Sequence, residues 1–183
     1  MKRTDKFDLQ HSAYFKLVDI LFRYPEKQFS LTELANEAGI SKSNASINLD
    51  FLKSKGIVKV IDRKSMYLIS ANRDDPAFVR MKIAFNLRRI YDSQIIEKLE
   101  NKYNNPKAII LFGSYRKGTD ISSSDVDIAV ESEQSGSEKP EDLRKIFGKT
   151  VQILKFSRKK VDLNVFNNIA NGIVLSGFLE VNK

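Results

Sequence analysis

Residues 111–130 read LFGSYRKGTDISSSDVDIAV, and the rest of the chain is organised around them. An apolar run, 108–112, stops at Gly113 and Ser114, and a second run, 126–130, carries Asp125 at its mouth and Asp127 within it. The pattern predicts a strand, a turn and a second strand. Glycine lets a backbone approach a ligand closely, and Ser114 is placed to cap a short helix whose unpaired amides attract phosphate. Asp125 and Asp127 are two apart on a strand, so their carboxylates leave the same face and can grip a hard divalent cation together. Such a unit has the outline of a phosphoryl-transfer site.

Outward from this stretch, the 183-residue chain has room for two small domains, and 42% hydrophobic content is enough for packed cores. There is no cysteine, which excludes a disulfide framework or thiolate metal site and suits a reducing cytoplasm. No apolar run approaches membrane-spanning length, and MKRTDKFDLQ at the start lacks the apolar core of a secretory signal, so a soluble cytoplasmic protein with no membrane partner is expected. The net charge of +8 favours an anionic partner, nucleotide or nucleic acid, although many basic proteins bind neither.

Toward the N-terminus, Tyr14, Leu17, Val18, Leu21 and Phe22 have helical spacing, with Pro25 as a stop. Ser30 followed by Glu33 is a capping-box pattern for a second helix ended by Gly39, and Ser41 is placed to cap a third helix running to about Lys55. Stretches 57–61 and 66–69 read as a hairpin with residues 62–65 at its tip. From Pro76 a long helix is expected to continue to about Asn101, apolar on more than one stripe and acting as a spacer.

Beyond the central motif, 132–140 reads as a polar loop, 141–147 as a short helix and 151–156 as an apolar strand. The tail then forks: KVDLNVF, 160–166, is either a further strand or part of a helix capped from Ser157 with Val161, Val165 and Ile169 on one face. The helix fits the tail better, with 173–175 as a last strand or close-packed segment. The lone His11 reads as a surface residue at a helix start.

The stretch LTELANEAGISKSNASINLDFLKSKGIVKV resembles the winged helix-turn-helix domains of prokaryotic transcription regulators, a likeness covering about residues 10–71. It implies that the third helix enters the major groove, placing Lys42, Ser43, Asn44, Ser46 and Asn48 against DNA, with Arg63 and Lys64 on the wing. This helix departs from that pattern, having Ile47 at a groove-facing position, Asp50, and no arginine. A dimerisation or docking module with Ile47 and Phe51 in an apolar contact face is the competing reading.

The motif LFGSYRKGTDISSSDVDIAV resembles the signature of polymerase beta-like minimal nucleotidyltransferases, with the likeness running from about Asn105 to the C-terminus. The order of winged helix, linking helix and nucleotidyltransferase domain is similar to a set of prokaryotic, particularly archaeal, proteins. The implied fold class is α+β: a winged helix-turn-helix domain at 1–73, a long linking helix at 74–104 and a nucleotidyltransferase domain with a small mixed sheet at 105–183.

The resemblance implies that Gly113, Ser114 and Arg116 hold the triphosphate of ATP or another NTP, while Asp125 and Asp127 bind Mg²⁺ as the catalytic pair. Active relatives add a third carboxylate from the next strand. If that strand is 151–156 the position falls on the neutral Gln152; if it is KVDLNVF, Asp162 fills it. Three functions follow. One is transfer of NMP, most readily AMP, to an unknown protein or RNA acceptor. The second is DNA-binding regulation with a nucleotide-sensing, catalytically weak domain. The third is an antitoxin-like partnership with a helical toxin. Winged helix proteins often dimerise, so a homodimer belongs to the expected partners.

Overall fold

The computed structural model describes residues 12–63, 66–133 and 148–181 and divides into two compact units, Met1–Phe78 and Val79–Lys183. His11, Lys64 and the expected helix at 141–147 lie outside the described residues, as do the side chain of Arg63 and most of the expected polar loop.

In the first unit, Ser12 caps α1 (Ala13–Arg23), which buries Leu17, Val18, Ile20, Leu21 and Phe22. A short β1 (Gln28–Phe29) leads to Ser30, whose hydroxyl accepts the Glu33 N–H while the Glu33 carboxylate accepts the Ser30 N–H at 2.7 Å. This reciprocal cap starts α2 (Leu31–Glu37). Ser41 caps α3 (Lys42–Ser54), and β2 (Val58–Arg63) and β3 (Met66–Ala71) form the antiparallel hairpin, with strand order β1-β3-β2. Leu17, Leu21, Leu34, Leu52, Ile57 and Ile69 form the inaccessible centre. Three helices followed by a hairpin, with a tight turn between α2 and α3, make this unit a winged helix-turn-helix.

The division between the units falls within α4 (Pro76–Asp92), whose first turn is capped by Asp75 accepting the Ala77 N–H at 2.7 Å. The long helix expected to reach Asn101 is interrupted. Gln94 takes a left-handed backbone (φ 57°), and α5 (Ile95–Lys102) starts afresh. Ser93 makes the break workable, its hydroxyl donating to the Ile90 carbonyl at 2.6 Å and accepting the Ile95 N–H. Nor is this segment only a spacer, since Ile90, Ile95 and Leu99 are buried in the core of the second unit.

That core is built on a mixed sheet in the order β6-β5-β4-β7: β4 (Ala108–Phe112), β5 (Val126–Glu131), β6 (Val151–Phe156) and β7 (Ile173–Gly177). β4 pairs antiparallel with β5 and β7, while β5 and β6 are parallel. Side chains alternate between faces. Ile109, Leu111, Val126, Ile128 and Val130 meet α4 and α5, while Ala108, Ile110 and Ala129 meet Ile169 of α7 (Leu163–Ala170). β4 is thus covered on both faces, which is why it reads as an unbroken apolar run; each of its large buried side chains contributes about 1.5–3 kcal/mol. Among the described residues no helix is long and apolar enough to cross a membrane.

Candidate functional site

The alternation that buries Val126 and Ile128 on one face of β5 puts Asp125 and Asp127 on the other, the face of α7. Phe112 is the register partner of Asp127, so the chain leaves β4 beside that carboxylate and turns into α6 (Gly113–Lys117). Gly113 makes the turn with φ +70°, and a Cβ there would overlap the Asp127 carboxylate. Glycine is therefore required twice, by the left-handed backbone and by the carboxylate packed against it. Ser114 does not cap this helix. It lies inside α6, the N-cap position being Phe112 with no side-chain cap, because the helix begins at the glycine itself.

Asp127 is half-buried, and its carboxyl is held above the ordinary range by burial first and by the nearby charge of Asp125 second. Gln152 of β6 is in parallel register with Asp127, and its amide donates to Asp125 Oδ2 at 2.5 Å. Of the two alternatives for a third carboxylate, the strand following β5 thus presents Gln152. Asp162 is occupied elsewhere as the N-cap of α7, accepting the N–H groups of Asn164 at 2.9 Å and Val165 at 3.3 Å. The α7 helix accordingly begins later than a cap at Ser157 would have it.

Two carboxylates side by side, with Asp125 adding to the cost of ionising Asp127 and the neutral Gln152 amide donating to Asp125, fit a divalent cation. Mg²⁺ is commonly held by one or two carboxylates and completed by substrate phosphates. Among the described residues no cluster of three or more His, Cys, Asp or Glu is placed to hold a metal. Asp125 and Asp127 would therefore provide only part of a coordination shell.

Beside this pair lies a cavity of about 570 Å³ lined by Phe112, Gly113, Arg116, Lys117, Asn168 and Asn171. Among the described residues its lining includes two cations and no acid, and Gly113 is the residue it shares with the Asp127 contact. A slightly larger cavity of about 620 Å³ lies at the other end of β4 and β5, where Lys107, Arg158 and Lys159 mix with Glu131, Glu133 and Glu180. That mixture suits a polyphosphate less well, and none of the residues expected to act lies there.

Sequence reading missed a buried network behind the motif. Asp120 accepts hydrogen bonds from Lys82 at 3.0 Å and Asn86 at 2.8 Å and pairs with Lys149 at 3.5 Å. Asn86 also donates to the Tyr115 carbonyl in α6. Lys149 donates in addition to the carbonyls of Ile121, Ser122 and Ser124, the loop that delivers Asp125. Burial pulls the Lys82 ammonium below its ordinary range against the opposing pull of Asp120, and burial pushes the Tyr115 phenol up to about 12. A signal was available: Phe78, Lys82, Asn86 and Ile90 are spaced by four along α4, so two polar residues occupy its apolar stripe, and all four are essentially inaccessible.

On the first unit, Lys42, Ser43, Asn44 and Ser46 are exposed on α3, as are Ile47 (71%) and Phe51 (50%). Asn48 is half-buried and turns its amide back onto the Asn44 carbonyl at 2.8 Å. Phe51 packs edge-on against Tyr14, with ring centroids 5.6 Å apart.

Among solved structures, the chain is similar to the homodimeric winged helix-turn-helix DNA-binding domain of a possible ArsR-family regulator from Mycobacterium bovis. Identity is 20%, the TM-score is 0.36, and the match covers 49% of this chain and 76% of that one. A heme sensor protein from Streptococcus agalactiae is similar at 17% identity and TM-score 0.34, over 52% of this chain and 78% of its own. No curated protein matches the chain. Residues 92–177 match the family model described as the nucleotidyltransferase domain, and this segment of the chain, which holds the Gly113-Ser114 turn, both carboxylates and Gln152, is a nucleotidyltransferase domain.

Proposed function

We propose that the protein transfers a nucleoside monophosphate, AMP by preference, from a nucleoside triphosphate to a protein or RNA acceptor in the cytoplasm. The observation that carries this is the Gly113–Asp127 contact, which holds a phosphate-approaching turn against a carboxylate pair that has no ion-pair partner among the described residues. Asp125 and Asp127 would hold Mg²⁺, which when bound supplies neutralisation of triphosphate charge. Gly113 leaves backbone room for the phosphates, and Ser114 and Arg116 supply a hydroxyl and a cation beside them. An acceptor oxygen bonds to the α-phosphorus, the bond to the β-phosphate breaks, and pyrophosphate leaves with the electron pair. Gln152 cannot take the acceptor's proton, so that proton goes to solvent or to a base on the acceptor.

This last point favours a second reading, a DNA-binding regulator whose nucleotidyltransferase domain senses nucleotide and turns over weakly. The exposed Lys42, Ser43, Asn44 and Ser46 support DNA contact, and Asn48, Arg63 and Lys64 belong to the same proposed surface. The exposed Ile47 and Phe51 support a second copy of the chain on that helix instead.

Incubation with ATP labelled at the α-phosphate, Mg²⁺ and cell extract separates the readings. Labelled acceptor that disappears with Asp125→Ala and Asp127→Ala is the expected result. ATP binding without any label transfer, together with salt-sensitive DNA binding that changes with ATP, would favour the regulator.

A further inference from the structure

The cavity beside Gly113 has two unlike walls. One is α6, which contributes Arg116 and Lys117; the other is α7, which contributes Asn168 and Asn171. Phe112, half-buried, supplies an apolar patch between them. The position of α7 is firmly fixed, because a Cβ at Gly172, just past its end, would come within 2.7 Å of the Leu111 carbonyl oxygen. A volume of about 570 Å³ is within the range of small-molecule sites and exceeds what phosphates alone would fill.

Asn168 and Asn171, three apart on α7, both border this space. Asn168 is exposed and makes no side-chain hydrogen bond among the described residues. In Asn171 the amide nitrogen donates to the Asn167 carbonyl at 2.8 Å. A carbonyl can only accept, so that contact fixes the orientation of the amide and leaves Asn171 Oδ1 as an acceptor.

We propose that α7 is the nucleoside-reading wall of the site, with the triphosphate against Gly113, Arg116 and Lys117 and the base against Asn168 and Asn171. An oxygen acceptor rewards a base that offers an exocyclic amino group and penalises one that offers a carbonyl at the same place. The site therefore selects adenine over uracil, through Asn171 Oδ1 with Asn168 as the adaptable partner. This rests on the nucleotide-binding reading above and adds to it the side chains that set which nucleotide enters.

Binding of ATP, UTP and inorganic tripolyphosphate to the full chain, each with MgCl₂, tests it by calorimetry without requiring turnover. ATP should bind about tenfold more tightly than UTP. Asn171→Leu should bring ATP to the level of UTP, and the exposed Asn168→Ala, which asks nothing of the fold, should weaken ATP several-fold; neither should move tripolyphosphate. Equal affinity for ATP and UTP in the wild type, or ATP affinity indifferent to both substitutions, overturns the assignment. Failure of all three ligands to bind removes the nucleotide-binding reading itself, and this inference with it.

Discussion

Asp120 and the Asp125–Asp127 pair are separated by the four residues 121–124 and receive opposite treatment. Asp120 is inaccessible and surrounded by two ammonium groups and an amide, whereas Asp127, half-buried beside Asp125, faces another carboxylate, and the hydrogen-bond donor to Asp125 is the neutral Gln152. In the first cluster the acid finds its cationic partners within the chain. The second stands beside the Gly113 turn that borders the cavity, with no ion pair among the described residues, an arrangement that an incoming cation and its anionic ligand would finish. The Asp120 cluster also serves the carboxylate pair, since Lys149 holds the carbonyls of the loop that delivers Asp125.

The sharpest way to break this contrast is to remove each acid in turn. Asp120→Ala leaves Lys82 and Lys149 buried without the carboxylate they share, and losing one partner of a buried ion pair costs about 3–5 kcal/mol. Asp125→Ala removes a carboxylate from a repelling pair and should change stability by no more than about 0.5 kcal/mol. Urea unfolding of both variants checks this. Comparable losses would show that the Asp125–Asp127 pair is as structural as Asp120.

The same contrast explains what could be read from the sequence. The Gly-Ser turn, the Asp-x-Asp strand and the winged helix were legible because local chemistry fixes each: a chain reversal at Gly113, a period of two, a capping box at Ser30. The Lys82–Asp120–Lys149 cluster was hidden because it joins residues from distant parts of the chain, and a lysine on a helix reads as solvated until its neighbours are seen. The break at Ser93-Gln94 was hidden for a related reason, a serine hydroxyl there satisfying backbone groups of two successive helices. The fork at Asp162 was decided by a cap, since a carboxylate that accepts two amides is a better helix start than a strand residue.

The turn at Gly113 offers a sharper probe of how closely the two halves of the motif are fitted. Gly113→Ala places a side chain on a left-handed backbone, at about 1–2 kcal/mol, and drives its methyl group into the Asp127 carboxylate. The total loss should be about 2 kcal/mol or more. Asp127→Gly in the same chain removes the obstacle, so the double variant should recover at least about 0.5 kcal/mol relative to the sum of the singles. Strict additivity would mean that the backbone alone demands glycine.

The smallest expected effect carries a sign that decides between the two kinds of cluster. Because the Asp127 carboxyl titrates above its ordinary range in the folded protein, its contribution favours folding below the unfolded carboxylate pKa, about 4, and is lost as pH rises through the raised value. At neutral pH the ionised group is then a net cost, borne until a cation arrives. Asp127→Asn removes that cost: without Mg²⁺ it should melt a little above the wild type at pH 7, and the advantage should fade as pH falls toward 4. Adding Mg²⁺ with ATP should reverse the order, raising the wild-type melting temperature and leaving the variant where it was. A variant that melts below the wild type at pH 7 in the absence of Mg²⁺ would mean that Asp127, like Asp120, is already compensated inside the fold.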